Sequence, residues 1–167
     1  PNFTRDFLIY YDDDQVALLK SIFKQHSIDD KALPVRSVLS VIGQAKNRKD
    51  APEDLQKAAW DDRSKRIAWL YEQYNEGLIG ANALDFDDLL LETVRLLRHD
   101  ARTRESWNRR IEYLMVDEYQ DTNRTQYDLM RLLCGAGDNV CAVGDEDQSI
   151  YSWRGADIKN ILDFERD

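Results

Sequence analysis

The sequence predicts a mostly α-helical chain that closes in a partial α/β unit built on one short parallel strand pair. Three observations carry this. Apolar residues recur at helical spacing through the first two thirds of the 167 residues. Two short apolar runs, 113–116 and 140–143, flank a helical segment, the pattern of a strand, helix, strand unit. The formal net charge of −9 is also unevenly spread: residues 1–110 carry a net −1, and residues 111–167 a net −8.

In chain order, Asp12-Asp13-Asp14 caps a helix over 14–25, with Val16, Leu19, Ile22 and Phe23 on one face. Pro34 sits where a first helical turn tolerates it, and Val35, Val38, Leu39 and Ile42 continue a second helix to the polar stretch Lys46-Asn47-Arg48-Lys49. Ala51-Pro52-Glu53-Asp54 starts a third, its early acids favoured by the helix dipole. Leu55, Ala59, Ile67, Leu70, Tyr71 and Tyr74 carry it as one long helix until Gly77 and Gly80. A turn at 77–84 separates a helical subdomain, 1–80, from the remainder, 81–167. Asp85-Phe86-Asp87-Asp88 then opens an apolar helix through Leu97, and a short helix follows near 101–109. Tyr113-Leu114-Met115-Val116 reads as a buried strand, 123–134 as a helix, Val140-Cys141-Ala142-Val143 as a second strand parallel to the first, and 156–165 as a last helix.

Composition excludes several classes. No apolar run is long enough to span a membrane and no signal peptide leads the chain, which points to a cytoplasmic protein with no membrane partner. Cys134 and Cys141 cannot form a disulfide framework, and with only His26 and His99 they give no zinc spacing, so both read as small core residues. The chain opens on Pro1-Asn2-Phe3 and reads as a segment of something longer.

The chemistry concentrates at the two strand ends. Ligands in open α/β sheets bind beyond the carboxyl ends of strands. The first strand delivers Asp117 and Glu118 to that edge, in the string Val116-Asp117-Glu118-Tyr119-Gln120-Asp121-Thr122-Asn123. One carboxylate of such a pair can hold Mg²⁺ while its neighbour orients and deprotonates a water. A bare Asp-Glu pair can equally end a strand and cap the next helix. The second strand leads into Gly144-Asp145-Glu146-Asp147-Gln148-Ser149-Ile150-Tyr151-Ser152-Trp153-Arg154-Gly155. Gln148 can both donate and accept, and Tyr151, Trp153 and Arg154 group the aromatic faces and guanidinium that stack on nucleic-acid bases. Two such loops at consecutive strand ends converge on one sheet edge.

These strings closely resemble superfamily 1 DNA helicases of the UvrD/Rep/PcrA type. The first resembles their motif II, the Walker B box, and Val143 to Ala156 resembles their motif III, with a suitable spacing of 27 residues from Asp117 to Gly144. Leu84-Asp85-Phe86-Asp87-Asp88-Leu89-Leu90 is similar to the segment that returns from their helical 1B insertion to the RecA-like 1A subdomain. The resemblance therefore implies a partial RecA-like (P-loop NTPase) subdomain carrying a helical insertion. It further implies an ATP-dependent helicase and translocase, 3′ to 5′, using ATP and Mg²⁺ on single-stranded and duplex DNA, with further helicase subdomains in a longer chain. Asp117 would coordinate Mg²⁺, and Glu118 would be the general base. Gln120 would join the network around the nucleotide, and Gln148 would sense the γ-phosphate and relay its loss. Tyr151 and Trp153 would stack on bases, Arg154 assisting at the DNA site and pairing acids near motif II.

The sequence departs from the family in lacking a Gly-x-x-x-x-Gly-Lys-Ser/Thr loop: none of its seven glycines precedes a lysine. The isolated chain is therefore expected to hydrolyse no ATP. The competing expectations are the helicase module of a helicase–nuclease and a non-catalytic helical interaction module with degenerate motifs. Elsewhere, the basic residues Lys46, Arg48, Lys49, Arg63, Lys65 and Arg66 are interleaved with acids and read as a solvated face. Trp60, Trp69 and Trp107 read as packing residues.

Overall fold

A computed structural model describes residues 3–134 and 139–145. It is mostly helical, with two short parallel strand pairs, and divides into two compact units, Pro1–Leu89 and Leu90–Asp167. Among the described residues no helix is long and apolar enough to cross a membrane.

The first unit begins with β1 (Leu8–Tyr10) and continues through α1 (Asp12–Gln25), α2 (Val35–Arg48), α3 (Pro52–Ala58) and α4 (Asp62–Gly80) to β2 (Ala83–Asp85). Helix α1 starts two residues before the predicted 14, its Asp14 carboxylate accepting from the Tyr11 amide at 3.0 Å. Pro34 stands just outside α2 as its N-cap. Lys49 ends α2 in the left-handed conformation (φ 64°), its amide reaching the Lys46 carbonyl while Asp50 reaches that of Ala45. The core gathers Leu19, Val38, Ile42, Leu70, Tyr74 and Ala83, all nearly or fully inaccessible.

Two features of this unit differ from the sequence expectation. The predicted third helix is two helices. Ala59 is extended (ψ 124°), and Asp61 caps a new start, its Oδ1 accepting from the Ser64 amide at 2.7 Å while Ser64 Oγ accepts from the Asp61 amide at 3.2 Å. Those Ser64 hydrogen bonds hold the Asp61 carboxyl below its ordinary pKa. The local cap overrides the helical periodicity that runs across the break. The second feature is the strand pair β1–β2, parallel with Tyr10 opposite Asp85. Asn82, itself left-handed (φ 49°), anchors it by exchanging hydrogen bonds with Thr4 and accepting from the Leu8 amide. Three-residue strands carry too little alternation to be read from sequence, and this pairing joins segments far apart in the chain.

Helix α5 (Phe86–His99) crosses the division between the units, which falls between Leu89 and Leu90. Residues 81–89 thus group with the helical unit, through β2, and α4 ends at Gly80. The second unit continues through α6 (Ala101–Asn108), capped by Asp100, to β3 (Leu114–Val116), α7 (Arg124–Cys134) and β4 (Val140–Ala142). Strands β3 and β4 are parallel, Leu114 opposite Val140, as the sequence predicts. Helix α7 buries Tyr127 and Met130 against Leu114, Val116, Val140 and Ala142. Alternation then turns Met115 and Cys141 to the opposite face, where Met115 is 78% exposed. Cys141 is therefore not a core residue, whereas Cys134 packs against the cluster. Trp60 and Trp107 are exposed, and only Trp69 packs as expected, against the core and edge-on to His26. The helix expected at 156–165 lies outside the described residues.

Candidate functional site

Past the end of β3, the chain stays stitched to the exit of β4. Val143 donates its amide to the Val116 carbonyl at 2.8 Å, and Tyr119 to the Val143 carbonyl at 2.9 Å. Between these two bonds stand Asp117 and Glu118, both exposed. Glu118 is left-handed (φ 51°, ψ 42°), a conformation that costs a residue with a Cβ about 1–2 kcal/mol and that clusters at functional turns. It breaks the strand and starts a 3₁₀ turn, Tyr119–Asp121, closed by Thr122 donating to the Tyr119 carbonyl through both its amide and its hydroxyl. Asn123 then caps α7 reciprocally with Gln126, each side-chain oxygen accepting from the other's amide at 2.9 Å.

The side chains of this turn are individually fixed. Asp117 Oδ1 accepts from the Glu118 amide at 2.9 Å. Gln120, 1% exposed, donates from Nε2 to Glu118 Oε2 at 2.6 Å, and its Oε1 accepts from the Asp145 amide at 3.0 Å. The two carboxylates edge a cleft of about 400 Å³ lined also by Asp121, Thr122, Gln126 and Tyr127. Asp117 offers an exposed carboxylate, the hard oxygen ligand that Mg²⁺ takes. Among the described residues no three metal-ligating side chains gather into a cage. A cation held by one carboxylate and by nucleotide phosphates needs none, so the residues present fit one held in that way.

Of the residues singled out from sequence, Asp117, Glu118 and Gln120 are brought together at this turn; Gln148, Tyr151, Trp153 and Arg154 lie outside the described residues. The sequence reading missed a second cluster, in the helical unit. Lys46, expected on a solvated face, is 1% exposed. Its Nζ lies 2.6 Å from Asp85 Oδ2 and 2.7 Å from Asp88 Oδ1, and 5.1 Å from the centre of the Tyr74 ring. Tyr74 also donates its hydroxyl to Asp85 Oδ2 at 3.1 Å, and Asp85 Oδ1 accepts from the Asp88 amide, opening α5. Burial and the neighbouring Asp85 carboxylate push the Tyr74 hydroxyl's pKa up.

Directly beyond this cluster, Tyr11 and Phe86 follow the carboxyl ends of β1 and β2. Their rings pack edge-on with centres 5.3 Å apart, and they remain 60% and 44% exposed. An exposed aromatic pair at that end of a parallel pair is where a ligand would be met. The only signal in the sequence is one aromatic after each short apolar run, and it becomes legible once the runs are known to pair.

Compared with known proteins, the chain is 45% identical over 163 residues to the ATP-dependent DNA helicase PcrA of Staphylococcus epidermidis. It is 44% identical, over the same length, to the ATP-dependent DNA helicase PcrA of Staphylococcus aureus. Each alignment covers 98% of this chain and 22% of the relative, so the chain spans about a fifth of the length of these curated relatives. The family model described as the UvrD/REP helicase N-terminal domain matches residues 2–167, and with the acidic turn at the end of β3 this places the chain in the UvrD/REP helicase family.

Proposed function

We propose that the chain is part of an ATP-dependent DNA helicase and translocase, moving 3′ to 5′ and acting in the cytoplasm. Residues 1–80 would form its helical 1B-like subdomain and residues 81–167 part of its RecA-like 1A subdomain. The observation that carries the reading is the turn after β3, where Asp117 and Glu118 stand side by side and exposed while Gln120 holds the Glu118 carboxylate.

When bound, Mg²⁺ and ATP supply the phosphoryl group and the cation that neutralises its oxygens. Asp117 holds that cation through its exposed carboxylate. Glu118 accepts a proton from water at a carboxylate oxygen and orients that water for attack. Gln148 senses the γ-phosphate. Tyr151, Trp153 and Arg154 engage single-stranded DNA, and the exposed Tyr11–Phe86 pair supports a further stacking surface, since aromatic faces accept any base. Without a glycine-lysine phosphate loop, the 167 residues alone hydrolyse no ATP; the remaining helicase subdomains supply the rest of the site.

The test is Glu118→Gln in the full-length protein. Single-strand-stimulated ATP hydrolysis should fall at least about 100-fold, the contribution of a positioned general base, while ATP still binds. Unchanged hydrolysis would overturn the catalytic reading and favour a non-catalytic interaction module.

A further inference from the structure

We propose that Gln120 is a positioning residue that aims the Glu118 carboxylate and ties that aim to the backbone leaving β4. The inference rests on the reading of Glu118 as the general base and gives the residue beside it a distinct task. Three observations carry it. The Gln120 amide is 1% exposed, so it is not free to meet a ligand in solvent. Both ends of the amide are engaged within the chain, the donor end on Glu118 Oε2 at 2.6 Å and the acceptor end on the Asp145 amide at 3.0 Å. The space around it is tight on the side of Gly144, where any side chain would press on the amide. A Cβ at Gly144 would stand 2.8 Å from Gln120 Oε1, 3.2 Å from the Gln120 backbone nitrogen and 3.3 Å from Tyr119 Cβ.

A glutamate on an exposed turn has three rotatable bonds and sweeps a wide arc, whereas a general base works only when its oxygen meets the water at hydrogen-bond distance. A short hydrogen bond from a buried amide narrows that arc. Because the same rigid amide group also accepts from Asp145, a displacement of the chain after β4 turns the amide and is felt at the Glu118 oxygen. Gln120 thus reaches the nucleotide through Glu118 rather than by touching it.

The experiment compares Gln120→Glu and Gln120→Met in the full-length protein. The first keeps an oxygen for the Asp145 amide but sets an oxygen against Glu118 in place of the donor; the second fills the space with neither. Both should lower the kcat of DNA-stimulated ATP hydrolysis at least tenfold, with the KM for ATP and the Kd for Mg·ADP within threefold of the parent value. A merely structural loosening would weaken nucleotide binding in parallel, and that parallel loss, or a kcat within twofold of the parent, overturns the proposal. Should both variants fail to fold, Gly144→Ala presses on the same amide from the opposite side; the same kcat-selective loss is expected, and an unchanged kcat overturns it. Glu118→Gln separates the two claims. If it abolishes hydrolysis while Gln120→Glu does not, only the role of Gln120 falls; if it leaves hydrolysis intact, the catalytic reading itself falls.

Discussion

The two parallel strand pairs are equally short, three residues against three, yet they are housed differently. Every residue of β2 is buried, and among the described residues its Ala83 belongs to a cluster of fourteen buried apolar side chains in the helical unit. Strand β3 alternates, with Met115 largely exposed, and among the described residues the cluster packed around it holds three buried apolar side chains: Tyr119, Tyr127 and Met130. Parallel sheets are ordinarily covered on both faces, and among the described residues β3–β4 has α7 packed on one. The polar chemistry divides the other way. Beside β2 the charges are paired and enclosed around Lys46; beyond β3 the carboxylates stand in the open on a left-handed turn. The enclosed charge cluster and the exposed acidic turn thus sit in separate units, each with its own strand pair.

The largest loss is expected at Lys46. Lys46→Met should destabilise the helical unit by about 3–5 kcal/mol, because it leaves Asp85 and Asp88 enclosed together without a counter-charge. Denaturant unfolding followed through Trp69 reads this, and a loss under about 1 kcal/mol would show that the cluster does not hold the frame. Leu70→Ala and Met130→Ala sharpen the contrast between the cores. Leu70, fully inaccessible, should lose about 4 kcal/mol, and Met130, in its smaller cluster, about 2 kcal/mol. Equal losses in thermal or denaturant unfolding would erase the distinction.

The smallest effect is a pH slope confined to the first unit. Burial, reinforced by the Asp85 carboxylate and opposed by the Lys46 ammonium, pushes the Asp88 carboxyl from 3.8 up to about 6. Between those values the folded chain binds more protons than the unfolded one, so this group's contribution to stability falls as pH rises from about 4 to about 6. Asp88→Asn should flatten the slope, and an unchanged slope in urea midpoints across that range would assign it elsewhere.

Much of this frame was legible in the sequence, because helices α1, α2, α5 and α7 each repeat an apolar face over several turns, and α1, α5, α6 and α7 begin at acids or asparagine that cap them. Strands β3 and β4 were legible by their apolar runs and by the acids and glycine that follow. What escaped was non-local. Lys46 looks like any surface lysine until Asp85 and Asp88, some forty residues on, are folded against it, and β1 is unreadable without β2. Cys141 was readable in principle: if Val140 and Ala142 face α7, the residue between them cannot. At the site, Asp117 and Glu118 were marked by residue type and position. The brace supplied by Gln120 was not, because its second partner is a backbone amide 25 residues away.

The enclosure of Lys46 also makes the chain its own reporter. To a reagent that modifies amines, the exposed lysines are open targets, whereas the Lys46 nitrogen is clasped by two carboxylates and shut off from solvent. Its reactivity therefore tracks opening of the helical unit around it, and the rate at which that one amine is labelled counts how often the frame comes apart.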